Sequence, residues 1–231
     1  MQLSDTELKR QDELRKAQDK ARALFEDIVS NGLIAAGRRE KEVERDIFEL
    51  ARSKYGVKFH WHKRVVRAGP NSMTVYRIDP PDLTIGEDDI VYVDLGPVFG
   101  EWEADFGRSF VVGDNPLKLK LVDALPKMHA IGRAHFERDE SLTGAELFEF
   151  MQRAAAAEGW SFGGEIAGHI IGEFPHTKIP GEENTFVIAP ENPMRLRDLD
   201  ENGNTKHWIL EVHLIDPTRS FGGFYEELIT V

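Results

Sequence analysis

Apolar residues recur at spacings of three and four along four stretches of the chain, which is typical of amphipathic helices. The predicted helices cover about residues 4–31, 40–55, 117–138 and 142–159. A capping sequence begins the first helix at Ser4, and Gly159 ends the last one. The charged faces of the first two helices carry no catalytic pattern, so we interpret them as solvated surface.

Between and after the helices, the chain follows strand patterns instead. Predicted strands lie at about 58–66, in two apolar runs within 91–112 that a Gly/Pro turn joins, at 208–215 and at 221–231. The same order of helices and strands occurs in both halves of the chain, which hints at an internal pseudo-repeat. With 231 residues, the chain can bury a core as one large domain or as two small halves.

Two carboxylates interrupt the apolar runs of residues 91–112. Asp94 and Asp105 stand where core residues are expected, and strands disfavour aspartate. An ionised carboxylate in a dry strand is costly unless it is paired or bound to a cation. Arg108 could pair with one of them in a buried salt bridge, whereas a divalent metal ion could serve both. The segment alone leaves both interpretations open.

The strands of the C-terminal half contain ionisable residues as well. Glu211 and His213 share one face of the predicted strand at 208–215. They could belong to a functional site or form a hydrogen-bonded pair in the core. Glu226 and Glu227 follow one another in the last strand pattern, so only one of the two can point toward a given site.

Two pairs of histidines have settings that could support chemistry. Glycines flank His169, and His176 follows in a loop with two prolines, which suits either a surface histidine or a functional one. His60 and His62 would share one face of the predicted strand at 58–66 and could chelate a metal ion. The lysine and arginine that follow them would repel a cation, which favours an ordinary strand role for both.

Composition and charge narrow the class of protein. The net charge of −12 and the pI near 5.2 argue against nucleic acid or an anionic membrane as the main partner, because both favour clustered Lys and Arg. The sequence shows no apolar run of about 20 residues and no signal-like start, so we expect a cytoplasmic location. Because the chain has no cysteine, any metal ion must be held by His, Asp and Glu.

The strand carboxylates and the glycine-flanked histidine together predict hydrolytic chemistry. The set contains Asp94, Asp105, His169, Glu211 and one of Glu226 and Glu227. Such oxygen and imidazole ligands can hold two divalent ions about 3.5–4 Å apart. A water between the ions is activated as hydroxide, and the ions polarise a substrate carbonyl.

The order of these residues resembles the pita-bread metallopeptidase family, which includes methionine aminopeptidase, Xaa-Pro aminopeptidase and prolidase, and creatinase as a relative. In that family the ligands follow the order Asp, Asp, His, Glu, Glu, with the first two eleven residues apart, as Asp94 and Asp105 are. Its motifs are similar to Asp94-Leu-Gly96, Asp105-Phe-Gly-Arg-Ser109, Gly168-His-Ile-Ile-Gly172 and His176-Thr-Lys-Ile-Pro180. The resemblance covers almost the whole chain and is nearer the Xaa-Pro branch.

The resemblance implies an α+β pita-bread fold with pseudo-twofold α/β halves around a curved antiparallel sheet. Residues 1–231 would form a single catalytic domain with halves at about 1–115 and 116–231. The implied ligands of two divalent metal ions are Asp94, Asp105, His169, Glu211 and Glu226, with Asp105 and Glu226 bridging both ions. By the same resemblance, His176 contacts the substrate carbonyl or the transition state, Glu211 relays a proton, and His213 contacts a ligand residue or the substrate.

The sequence departs from the family pattern in two places. Family peptidases carry another active-site histidine near the turn at Arg67–Tyr76, where this chain has none, and His60 or His62 could substitute for it. The residues after Glu211 are Val and His instead of Pro and Gly. Because of these differences, the resemblance does not specify the identity of the substrate.

The function implied is a dinuclear metal-dependent hydrolase that acts on peptides or dipeptides as an aminopeptidase or Xaa-Pro dipeptidase. One alternative is a creatinase-like hydrolase of a non-peptide C–N bond, and another is a catalytically inactive pita-bread binding module. Manganese is the expected metal, although Co, Fe and Zn also suit the ligand set. A homodimer is the prior expectation for the assembly.

Overall fold

A twisted antiparallel sheet passes through the molecule, and two pairs of helices pack on it. The computed structural model describes residues 4–176 and 183–231. The helices are α1 (Asp5–Ser30), α2 (Glu40–Tyr55), α3 (Pro116–Arg138) and α4 (Gly144–Ala157). The strands are β1 (Val65–Ala68), β2 (Ile90–Leu95), β3 (Val98–Phe99), β4 (Trp102–Glu103), β5 (Phe106–Val111), β6 (Ser161–Phe162), β7 (Ile170–Ile171), β8 (His207–Ile215) and β9 (Gly222–Leu228). Short 3₁₀ helices lie at Gly69–Met73 and Glu183–Phe186.

The order of strands in the main sheet does not follow the order of the chain. Seven strands form this sheet in the order β1-β2-β5-β9-β8-β6, with β7 paired to β8 beside that path. β3 and β4 form a separate hairpin. The last strand, β9, therefore lies in the interior of the sheet, between β5 from the first part of the chain and β8 from the second.

Each pair of helices buries its apolar face on its own part of the sheet. Residues of α1 and α2 pack with β1, β2 and β5 in one core, and residues of α3 and α4 pack mainly with β8 in another. This arrangement confirms the predicted α+β class, whereas the division at about residue 115 stays a prediction. Among the described residues, no helix combines the length and the apolar character needed to cross a membrane.

The predicted helices agree with the structure to within about two residues, but the predicted strand at 58–66 is wrong over most of its length. Only its end belongs to β1, and the chain bends at Trp61 and His62. The backbone N–H of Trp61 donates to the carbonyl of Gly96 at 2.9 Å, so this segment meets the residues after β2 through isolated bonds and forms no regular strand. Because of the bend, His60 lies against the ring of Phe48, at 6.1 Å between centroids, while His62 turns into the interior.

Candidate metal centre

The register of the sheet aligns three carboxylates and one glycine from four neighbouring strands in one row. Gly107 on β5 is paired with Asp94 on β2 at one side and with Glu226 on β9 at the other, and Glu226 is paired in turn with Glu211 on β8. Residues in register on neighbouring strands point to the same face of a sheet. The three carboxylates therefore meet above Gly107, where an added Cβ would lie 3.0 Å from Glu226 Oε1. Asp105 joins them from the position just before β5.

His169 reaches this row from the glycine-rich loop before β7. Its Nε2 lies 3.0 Å from Asp105 Oδ2 and 3.6 Å from Glu211 Oε1, and its Nδ1 bonds the carbonyl of Ile170 at 2.8 Å. Gly168 has φ +140°, and an added Cβ would lie 2.0 Å from the carbonyl oxygen of Ile209 on β8. The loop can approach β8 this closely only because residue 168 is a glycine.

These residues line a pocket of about 720 Å³. All five predicted metal ligands reach it, as do the predicted catalytic residues His176 and His213. The structure thus brings together seven of the residues that the sequence singled out. It also adds Glu103, which the sequence analysis did not name, and His62, which it named only as a possible chelator and as a possible substitute for the missing family histidine.

Burial in this pocket disfavours the charges of the carboxylates. Burial raises the pKa of Asp94 to about 6, with the charge of Asp105 adding to the effect and that of His62 opposing it. Burial also raises the pKa of Glu211 to about 7. Glu226 is 2% exposed, and burial together with the charges of Asp105, Asp94 and Glu211 holds its pKa well above the ordinary value.

Asp105 is the carboxylate that stays ionised most readily. Burial opposes its charge, but the imidazoles of His62 and His169 outweigh burial and lower its pKa below the ordinary range. Burial lowers the pKa values of both histidines, but the negative charges of Asp105 and its neighbouring carboxylates outweigh burial and raise both values to about 9. The charge of each carboxylate and imidazole in the site therefore depends on the charges of its neighbours.

Divalent cations fit this donor set. Asp94 Oδ1 and Glu226 Oε1 are buried without a hydrogen-bond partner, and such orphaned oxygens are costly unless something positive binds them. One donor atom each from Asp105, His169 and Glu226 lie within 4.8 Å of one another. Carboxylate oxygens and imidazole nitrogens are ligands that Mn, Fe, Co and Zn accept.

The alternative of a buried Asp–Arg salt bridge is wrong. Arg108 is one residue beyond Gly107, so its side chain points to the opposite face of the sheet. There it pairs with Glu227 and lies 3.7 Å from the ring centroid of Phe106 and 3.8 Å from that of Tyr225. Glu226 and Glu227 thus point to opposite faces, and Glu226 is the one in the pocket.

The alternative of a Glu211–His213 core pair is not what the structure shows either. His213 Nε2 bonds the carbonyl oxygen of Ser72 at 2.9 Å, while the Glu211 carboxylate faces His169. Burial lowers the pKa of His213 to about 4, so its imidazole is neutral near pH 7. A neutral imidazole in the pocket wall can hydrogen-bond a substrate without adding charge.

Glu103 holds His176 in place. This carboxylate is 1% exposed and accepts from the His176 backbone N–H at 3.1 Å, while its Oε2 lies 2.6 Å from His176 Nδ1. It also accepts from the backbone N–H of Gly172 at 3.3 Å. The signal in the sequence was a carboxylate in apolar surroundings two residues before Asp105. The rest of the predicted His176-Thr-Lys-Ile-Pro180 motif lies outside the described residues.

His62 is the second residue that the sequence analysis misplaced. The ordinary strand role that its basic neighbours favoured is wrong, because the bend at Trp61 aims the ring at the carboxylates. Its Nε2 lies 3.1 Å from Asp105 Oδ1 and 3.6 Å from Asp94 Oδ1. The basic neighbours turn away, since Lys63 pairs with Asp79 and Arg64 pairs with Glu44. His60 does not line the pocket.

The fold and the pocket together define a metal-binding domain of the pita-bread type, and comparison with known proteins identifies its family. The sequence matches the model of metallopeptidase family M24 over residues 12–201. The chain therefore belongs to this family, which confirms both the predicted family and the predicted fold. No curated protein matches the chain.

Solved structures with the same fold include peptidases of the Xaa-Pro type. Xaa-Pro dipeptidase from Bacillus anthracis has a TM-score of 0.72 and 23% identity, over 98% of this chain and 61% of its own. Recombinant prolidase from Thermococcus sibiricus has a TM-score of 0.73 and 19% identity, over 97% and 56%. X-Pro aminopeptidase from Thermotoga maritima has a TM-score of 0.71 and 18% identity, over 99% and 62%. The chain thus spans little more than half the length of these proteins.

Proposed function

We propose that this chain is the catalytic domain of a metal-dependent exopeptidase that removes an N-terminal residue from peptides or splits Xaa-Pro dipeptides. The observation that carries the proposal is the row of carboxylates formed by Asp94 on β2, Glu226 on β9 and Glu211 on β8, in which Asp94 and Glu226 have unpartnered oxygens. Family membership supports peptidase chemistry, and the names of the solved relatives support a substrate of the Xaa-Pro type.

The residues that would hold two divalent ions are Asp94, Asp105, His169, Glu211 and Glu226, and the family resemblance would assign Asp105 and Glu226 to both ions. When bound, such ions supply Lewis-acid chemistry, since they lower the pKa of water and polarise a carbonyl. Manganese is our first expectation because four of the five ligands are carboxylates.

The remaining residues of the pocket would bind and orient the substrate. Because the Glu103 carboxylate accepts from His176 Nδ1, Nε2 is the ring nitrogen left to meet the substrate, and in the imidazolium form it would donate to the substrate carbonyl. The carboxylate of Glu211 would take up and release a proton during the reaction. His213 would contact the substrate as a neutral imidazole.

The shape and lining of the pocket suit a short peptide. Its volume of about 720 Å³ is that of a small-molecule site. The side chains of Ile166, Phe174 and Phe224 provide apolar surface for a compact residue such as proline. Arg77 and Glu165, which also line the pocket, form an ion pair at 2.5 Å and are exposed, so they place charges of both signs at its mouth.

The test is to measure metal content together with hydrolysis of Met-peptides and a panel of Xaa-Pro dipeptides. Asp105→Asn is the variant that tests the metal site, because Asp105 contacts both histidines of the site. We expect this variant to stay folded while it loses bound metal and at least about 100-fold in activity. Unchanged metal stoichiometry in Asp105→Asn would contradict the bridging role.

The two alternatives predict different results in the same assays. A wild-type protein that binds metal but hydrolyses no peptide and no other C–N bond would favour the binding module. Hydrolysis confined to a non-peptide C–N substrate would favour the creatinase-like reaction. Turnover of Xaa-Pro dipeptides that depends on Asp105 supports the proposal.

A further inference from the structure

His62 and His169 occupy equivalent positions on the two sides of Asp105. His62 Nε2 is 3.1 Å from Asp105 Oδ1, and His169 Nε2 is 3.0 Å from Asp105 Oδ2. Each of these nitrogens also faces a second carboxylate at 3.6 Å, which is Asp94 for His62 and Glu211 for His169. One aspartate is therefore flanked by two half-sites of the same composition, each with one imidazole and one further carboxylate.

Both imidazoles are fixed in the same way. His62 Nδ1 lies 2.7 Å from the carbonyl oxygen of Lys63, and His169 Nδ1 lies 2.8 Å from that of Ile170. A carbonyl can only accept, so Nδ1 carries the proton in both rings and Nε2 presents a lone pair in the neutral form. This is the tautomer and the support that metal-ligating histidines typically have.

The ring of His62 packs closely against its surroundings. An added Cβ at Gly96 would lie 2.2 Å from His62 Cδ2 and 2.4 Å from His62 Nε2, so the glycine of the Asp94-Leu-Gly96 segment lies directly under the ring. The ring also meets that of Trp61 at 4.5 Å between centroids. The side chain of His62 is 9% exposed.

We propose that His62 is a sixth protein ligand of the metal centre and binds the ion that Asp94 and Asp105 hold. The inference rests on the proposed function and extends its ligand set. His62, Asp94 and Asp105 have donor atoms within 4.8 Å of one another, and Asp94 Oδ1 is buried without a hydrogen-bond partner. Each of the two ions then has one imidazole among its ligands.

A nitrogen ligand on each ion changes the expected choice of metal. Imidazole suits Co, Zn and Fe, whereas Mn prefers oxygen ligands. The wild-type protein should therefore bind Co²⁺ more tightly than Mn²⁺ at both positions. Loss of His62 should weaken binding of Co²⁺ more than binding of Mn²⁺ at one position, whereas loss of packing alone would weaken both ions alike.

The experiment compares the wild-type protein with His62→Gln and with the matched control His60→Gln, whose ring lies outside the pocket. Cobalt binding is followed by titration, and the number of imidazoles per bound cobalt is measured by X-ray absorption. We expect about one imidazole per ion in the wild type and in His60→Gln, and about half as many in His62→Gln. One of the two cobalt affinities should fall by more than the roughly 10–100-fold that loss of a supporting hydrogen bond costs.

The possible outcomes distinguish a failure of the His62 assignment from a failure of the proposed metal centre. If His62→Gln is folded by circular dichroism and binds two cobalt ions with the wild-type imidazole count, the assignment of His62 is overturned while the five-ligand centre stands. A wild-type protein that binds no cobalt overturns the metal centre itself. His169→Gln provides a second check, because it should lower the imidazole count equally and weaken the other ion.

Discussion

Glu211→Gln should make the metal-free protein more stable at high pH, although it removes a residue from the proposed active site. Burial is the main cause that raises the pKa of Glu211, and the charges of Asp105 and Asp94 add to it against the opposing effect of His169, so that the pKa moves from 4.5 to about 7. This difference corresponds to about 3 kcal/mol of unfolding free energy. Glutamine has nearly the same volume and cannot ionise, so it avoids this loss.

The dependence on pH follows from the direction of the shift. Below about pH 4.5, Glu211 is protonated in both the folded and the unfolded chain, so wild type and variant differ little. As the pH rises to about 7, the unfolded chain releases the proton before the folded protein does, and the wild type loses stability relative to Glu211→Gln. Above about pH 7 the difference should level off near 3 kcal/mol in favour of the variant. His169 keeps its closer contact with Asp105, at 3.0 Å, in both proteins.

The assay is urea unfolding followed by circular dichroism, at about pH 4.5, 6 and 8, first with a chelator and then with excess Mn²⁺ or Co²⁺. An ion at 100 times its Kd adds about 2.7 kcal/mol to the stability of the protein that binds it. The wild type gains this from each ion, while the variant gains less, so added metal should cancel or reverse the difference between them.

Glu227→Gln is the matched control, because Glu227 is the next carboxylate along in β9 and pairs with Arg108 on the other face. Its loss should destabilise the protein to the same extent with and without metal. The reasoning would be refuted if metal-free Glu211→Gln were less stable than the wild type at about pH 8, or if the difference did not change with pH.

Two further substitutions test how the pocket is built. Glu103→Gln weakens the support of the His176 ring. We expect kcat to fall about 10–100-fold with little change in stability, measured against the exposed control Glu101→Gln. Equal kcat values in the two variants would show that His176 does not need this carboxylate. Gly168→Ala combines a positive φ with a Cβ 2.0 Å from a backbone oxygen, so it should cost roughly 2–4 kcal/mol in urea unfolding and weaken metal binding. Gly203→Ala, with φ +77° and nothing within 4 Å of the added Cβ, should cost only about 1 kcal/mol and leave metal binding intact.

The strand carboxylates of the site could be predicted from the sequence, because each is an exception that can be recognised from the few residues around it. Asp94 and Glu226 occupy strand positions where an apolar residue is expected, and a buried charge requires compensation. The helices were predicted well for a similar reason, since their apolar spacing and caps are local. The likeness to a known family then supplied the fold that joins these segments.

The residues that the sequence did not reveal depend on contacts between distant segments. His62 owes its place to a bend against Gly96, and alternation alone gave no sign that the regular strand begins only at Val65. Glu103 is a supporting residue whose partner His176 lies far along the chain. The position of Arg108 on the opposite face follows from the register of β5 with β9, which no local pattern specifies.

The interior position of β9 has a consequence for the order in which the molecule can be completed. Until this final strand has paired, β5 and β8 each present an open row of backbone donors and acceptors, and such rows attract other chains. The same strand carries Glu226, so the sheet and the row of carboxylates become complete in the same step. A partly synthesised chain would thus be prone to aggregation and would lack the complete row of carboxylates, and both conditions would end when the same strand is inserted.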